Sequence, residues 1–169
     1  MDEDYMTSVV EIPNPTDEEL AWFRRVEQKV NSVLDWIDKP IDLKDELSTL
    51  ICTLPDILED GMPNWGWVMN FHNRDGVNRL EIESPVSGNI DALLHLLQAF
   101  LARFRPNKYL MVEWAYTSVP ARPGGFGGGA AFVTARCLHV DDTSVFLEDA
   151  ENQHHEQWIS QPAANKLMS

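Results

Sequence analysis

Seven residues, Pro123-Gly124-Gly125-Phe126-Gly127-Gly128-Gly129, have the composition of a phosphate-cradling loop, and residues 125–130 fit the pattern GxGxxA. In a dinucleotide site such glycines open a helix whose N-terminus holds the pyrophosphate. Here they lead into Ala130-Ala131-Phe132-Val133-Thr134-Ala135, which is small, β-branched and strand-forming, and no GK[ST] follows. The run therefore reads in three other ways. It is a hairpin loop over residues 118–129, a glycine-lined strand against which a backbone or large ring packs, or a mobile partner-binding loop anchored by Phe126.

The remaining groups with chemical potential are scattered. His72 falls at a turn, His95 on a helix, His139 in a strand, and His154 and His155 near the end of a last helix. No HExxH, HxH or CxxC completes a metal shell, and no GxSxG marks a nucleophile. Cys52 and Cys137 each lie within an apolar run and read as buried free thiols of a reducing compartment. Glu113, amid Met111, Val112 and Trp114, is either a buried acid poised for proton transfer or a carboxylate on the open side of a sheet. The second reading is preferred. No catalytic residue, metal or cofactor is expected.

Charge is the stronger signal. The 169 residues carry 27 acids and 13 bases, a net charge of −14. Residues 1–61 hold 16 acids against 5 bases (net −11), residues 62–136 hold 5 against 7 (net +2), and residues 137–169 hold 6 against 1 (net −5). Acidic ends repel nucleic acid and anionic membrane and attract basic surfaces. Candidate contact residues are Glu27, Asp35 and Asp38 on a first helix, with Asp42, Asp45, Glu46, Asp56, Glu59 and Asp60 on or after a second. Arg24, Arg25, Lys29, Lys39 and Lys44 interrupt that field, and solubility alone explains many acidic surfaces. Trp22, Lys29 and Trp36 stand at i, i+7 and i+14; Trp22 and Trp36 either widen the core face or form an interface strip. The core reading is preferred, as it is for Trp65, Trp67 and Trp114.

These residues need elements to position them. Residues 1–15 read as a polar arm, with at most a short edge strand at 8–12, closed by Pro13-Asn14-Pro15. Thr16 and Glu19 form a capping box for a helix running to Asp38. Asp42 caps a second helix ended by Pro55 or Gly61, which completes an acidic helical hairpin over 16–61. Period-two alternation at 65–71 and 80–83 predicts a β-hairpin around Asn73-Arg74-Asp75-Gly76. Asn89 caps the most apolar helix, closed by Pro106. Strands follow at 109–117, 130–135 and 138–140, then a helix from Thr143 or Ser144. Hairpins in place of βαβ crossovers predict a two-layer α+β domain over 16–159. Its antiparallel sheet has four to five strands with helices on one face, and 160–169 is a flexible tail. An acidic N-terminus without an apolar leader, and the lack of a spanning segment, predict a cytoplasmic protein.

The block Trp114-Ala115-Tyr116-Thr117, then Phe126-Gly127-Gly128-Gly129-Ala130 and Val133-Thr134-Ala135, resembles a segment found in small uncharacterised proteins of phages and other mobile elements. The resemblance spans residues 114–135 and assigns no role to any residue. It implies an accessory or anti-defence protein that binds a host complex. The function expected is thus a non-catalytic, acidic protein-binding module. In its most specific form it inhibits a nucleic-acid-handling complex by occluding a basic surface, with no direct contact to nucleic acid or membrane. One alternative is a ligand-binding protein or enzyme with a pocket near the glycine run, using Glu113 or a histidine. The other is an assembly subunit that associates through the Trp22/Trp36 strip.

Overall fold

Strand alternation begins near the N-terminus. Ser8, Val10 and Ile12 are buried while Val9 and Glu11 face water, the period of a strand with one wet side. The structure is a computed structural model and describes residues 3–32, 45–59, 62–84, 88–119 and 126–143. Its elements in chain order are β1 (Glu3–Pro13), α1 (Asp17–Asn31), α2 (Glu46–Cys52), β2 (Leu58–Glu59), β3 (Met62–Pro63), β4 (Val68–Arg74), β5 (Val77–Ser84), α3 (Ile90–Phe104), β6 (Tyr109–Val119), β7 (Phe126–Thr134) and β8 (Leu138–Asp142). The fold is α+β.

Six strands form one antiparallel sheet in the order β4-β5-β1-β6-β7-β8, and β2 pairs with β3 in a separate ladder. The expected four to five strands become six because the supposed N-terminal arm is a strand inside the sheet. Residues 8–13 of β1 pair with 79–84 of β5, and residues 3–7 pair with 115–119 of β6. β1 is therefore the seam between the β4-β5 pair and the three strands β6, β7 and β8. The first two helices also differ from the sequence reading. α1 ends at Asn31, α2 is capped by Asp45, and the expected stretch to Asp38 with the Asp42 cap lies outside the described residues. The expected last helix and tail, beyond residue 143, lie outside them too.

Helices cover one side of the sheet. Val10, Ile12, Leu80, Ile82, Val112, Trp114, Ala131 and Val133 face α1 and α3, and all are buried. Between the two helices Phe23 and Phe100 lie 4.8 Å apart, with Trp22 5.0 Å from Phe23 and 6.0 Å from Phe100. α1 packs over β4 and α3 over β7, and on α3 Ala92, Leu93, Leu94, Leu96, Leu97, Phe100 and Leu101 are all buried. No described helix is long and apolar enough to cross a membrane.

Of the glycine run, Phe126 to Gly129 belong to β7, and Pro123, Gly124 and Gly125 lie outside the described residues. Gly127, Gly128 and Gly129 stand opposite Tyr116, Ala115 and Trp114. The Trp114 indole lies where a side chain at 129 would be: a Cβ there would come within 2.4 Å of the ring and 2.7 Å of the Asp141 carbonyl oxygen. A Cβ at 128 would meet the Trp114 carbonyl oxygen at 2.3 Å, a backbone atom with no room to yield. The strand is glycine-lined because a tryptophan and a neighbouring backbone approach it this closely.

A second constraint clasps three elements. The Thr16 hydroxyl accepts from the Glu19 amide (3.2 Å) while the Glu19 carboxylate accepts from the Thr16 amide (2.7 Å). Arg105, the C-cap of α3, donates to both Glu19 oxygens at 2.6 and 2.8 Å, and also to the Pro13 carbonyl at 3.1 Å. Burial pushes the Glu19 carboxyl up, but the Arg105 guanidinium and the Thr16 amide outweigh it and hold the carboxyl below its ordinary value of 4.5.

Two predictions follow from this packing. Gly128→Ala is expected to cost about 1–3 kcal/mol in chemical denaturation, as overpacking against fixed backbone does. Gly127→Ala, whose added methyl meets nothing nearer than 3.9 Å, stays within about 0.5 kcal/mol of wild type; equal costs would contradict the packing. For the clasp, a carboxyl with a depressed pKa contributes stability above its unfolded value, lost as pH falls through the folded one. Wild-type stability therefore drops on acidification below pH 4.5, and Glu19→Gln flattens that acid limb. Arg105→Ala, which strands a buried carboxylate, costs about 3 kcal/mol at neutral pH.

Candidate functional site

No described helix covers the side of the sheet away from α1 and α3. Strand register assigns its residues: Val68, Asn70 and His72 on β4; Arg79, Glu81 and Glu83 on β5; Val9 and Glu11 on β1; Tyr109, Met111 and Glu113 on β6; Ala130 and Phe132 on β7; His139 and Asp141 on β8. The two halves of this face differ in chemistry. On the β4-β5-β1 side the carboxylates have partners. Arg79 lies 3.9 Å from Glu11, His72 lies 3.4 Å from Glu81, and the Asn70 amide donates to Glu83 at 2.7 Å. The β6-β7-β8 side is apolar and wet together. Met111 is 69% exposed, Tyr109 58% and Phe132 39%, with the Tyr109 and Phe132 rings stacked at 4.8 Å. Val9 on β1, 63% exposed, extends the patch toward the seam. Clustered exposed apolar side chains on a sheet face mark an interaction surface more often than isolated ones do.

A shallow depression of about 290 Å³ lies within this patch, lined by Met111, Glu113, Ala130, Phe132, His139 and Asp141 together with Ala131 and Val140. Cross-strand pairing orders it in two rows. Glu113, Ala130 and Asp141 form one; Met111, Phe132 and His139 form the next. The alanine makes a floor between two carboxylates. Glu113 is exposed, as the preferred reading of it requires.

The helix carboxylates singled out in the sequence are placed differently from one another. Asp45 caps α2, accepts from the Leu47 amide (3.3 Å) and the Ser48 hydroxyl (2.5 Å), and pairs with Lys29. The Lys29 ammonium above all, then the Ser48 hydroxyl, lowers its pKa to about 2. Glu46 meets Arg103 at 3.1 Å. These two carboxylates join helices to one another. Glu27 is half-buried on α1, Asp56 is exposed in the turn after α2, and Glu59 lies in β2. Asp35, Asp38, Asp42 and Asp60 fall outside the described residues. Phe126 opens β7 opposite Thr117, inside the sheet and not at the tip of a loop.

Trp22 is 3% exposed, so the core reading holds and it forms no surface strip; Trp36 lies outside the described residues. Trp65, Trp67 and Trp114 are core as well. His95 donates its Nδ1–H to the Asp91 carbonyl oxygen (2.8 Å), and His72 and His139 are exposed on the open face. His154 and His155 are not among the described residues. Among those that are, no three His, Cys, Asp or Glu side chains converge on a metal site. The sheet-face group of Tyr109, Met111, Phe132 and Glu83 was not singled out in the sequence. The signal was there: the alternation of Tyr109, Met111 and Glu113 with Leu110, Val112 and Trp114 is period two with one wet face.

Both cysteines correct the expectation of burial, for Cys52 and Cys137 are exposed. Cys52 ends the seven-residue α2, and Cys137 lies in the β7–β8 turn, where the Thr134 hydroxyl accepts from its amide at 3.0 Å. Two thiol equivalents are expected to react with a disulfide reagent in the folded protein, Cys52 more slowly because partial desolvation raises its pKa. Reaction only after denaturation would contradict these placements. The chain matches no protein-family model, no curated protein and no solved structure.

Proposed function

We propose that this protein acts by binding another protein, and that the open sheet face is its docking surface. The observation that carries the reading is the patch of Tyr109, Met111, Phe132 and Val9, solvent-exposed on a sheet whose other side is covered by helices. Its rim is acidic, with Glu83, Glu113 and Asp141 on alternate strands, and the whole chain carries −14. A basic partner gains from both features: apolar contact at the centre, and charge pairing with steering at the rim. A second copy would bring another −14 to the same surface. Glu27 on α1 and Asp56 in the turn after α2 add to the long-range field, and Asp45 and Glu46 contribute charge while fixed in their pairs. In the sharper form of the proposal, the partner's basic surface is one that otherwise holds phosphates, and the carboxylates occlude it. A small-molecule site is the weaker reading, because a 290 Å³ depression open to solvent encloses little of a ligand.

The test is affinity capture from an extract of the source cells, comparing wild type with Met111→Ser/Phe132→Ser at two salt concentrations. A basic protein is expected with wild type and released by half-molar salt, since exposed charge pairs are screened. It should be lost from the double variant, whose changed side chains are already exposed. Equal recovery by the variant, or recovery insensitive to salt, would overturn the reading.

A further inference from the structure

The proposed docking face contains a position built for one kind of side chain, and this inference rests on that reading. Of the carboxylates on the open face, Glu11, Glu81 and Glu83 each have a partner from the same sheet. Glu113 and Asp141 have none among the described residues. They are also the two that flank the depression. Both oppose Ala130, one from each side, so their strands stand two inter-strand spacings apart, about 10 Å. Between them only a methyl group rises from the sheet. One step along the strands, Met111, Phe132 and His139 form an apolar and aromatic wall, and Tyr109 stacks against Phe132 and braces it.

We propose that this notch seats the side chain of a single arginine from the partner. The aliphatic stem lies along Met111 and Ala130, the guanidinium plane lies against Phe132, and the N–H groups reach Glu113 on one side and Asp141 on the other. Arginine fits this geometry better than lysine for a stated reason. A guanidinium is flat, stacks on aromatic rings, and projects donors from opposite edges. An ammonium is a compact point charge on a thin stem. It has no plane to lay against Phe132 and no opposed edges with which to serve both carboxylates at once.

The inference is tested on the full chain with ¹³C-labelled alanine and methionine methyls. The probes are two capped tripeptides, acetyl-Gly-Arg-Gly-amide and acetyl-Gly-Lys-Gly-amide. The arginine peptide is expected to shift the Ala130 and Met111 methyl signals in a saturable manner, about tenfold more tightly than the lysine peptide. Glu113→Gln/Asp141→Asn, two isosteric changes at exposed positions, should weaken the arginine peptide by about tenfold with the other methyl signals unmoved. Ala130→Leu, which fills the floor, should abolish the shift. Equal response to the two peptides, insensitivity to the carboxamide pair, or no shift up to about ten millimolar would each overturn the notch. Such a failure leaves the capture result standing, since capture responds to Met111 and Phe132 irrespective of which partner side chain they meet.

Discussion

β1 must satisfy hydrogen bonds on both of its edges, and the rest of the architecture depends on that requirement. Its two halves pair with β5 and β6 respectively, so one strand joins two hairpin-derived halves into a single sheet. A continuous sheet gives α3 and α1 one apolar surface to cover, and an unpaired backbone group in that core would cost more than a lost hydrogen bond in water. The Arg105–Glu19 clasp holds this arrangement at its corner. It joins the end of β1, the start of α1 and the end of α3 through one bidentate pair. The same continuity produces the opposite surface, six strands wide and free of described helices.

That open surface is where structure and chemistry meet. The covered side uses its large rings for packing, and the Trp114 indole takes the place a β7 side chain would occupy. Gly128 and Gly129, part of a run with the composition of a nucleotide loop, are thereby explained by close packing in the sheet. Directly beneath them in the sequence, Ala130 and Phe132 point the other way and shape the depression. Alternation of two residues thus divides one short segment between core construction and surface recognition.

Local rules were readable wherever the cause was local. The Thr16/Glu19 capping box, the Asn89 cap, the apolar helix ended before Pro106 and the turn at Asp75-Gly76 all form as their residues predict, because each depends on neighbours within a few positions. β1 was under-read for the opposite reason. Its acidic beginning resembles a solvated arm, and only pairing with partners some 70 to 115 residues away makes it a strand. The acids were misleading in a similar way. Asp45 and Glu46 look like an exposed acidic field in sequence, yet Lys29 and Arg103 reach them across helix interfaces. The open-face carboxylates without described partners, Glu113 and Asp141, come from strands that looked near-neutral or terminal. Which charges are matched is a property of tertiary placement, and composition does not carry it.

The central claim is that the open sheet face is covered in the cell. Oxidation of methionine by dilute peroxide measures it directly, because Met111 is 69% exposed while Met69, on the covered side, is 4% exposed and serves as an internal reference. In the purified protein Met111 should oxidise readily and Met69 slowly. In extract of the source cells Met111 should become several-fold more resistant, and high salt should restore its reactivity. Equal oxidation of Met111 in buffer and in extract would mean that nothing docks on this face, and would contradict the account.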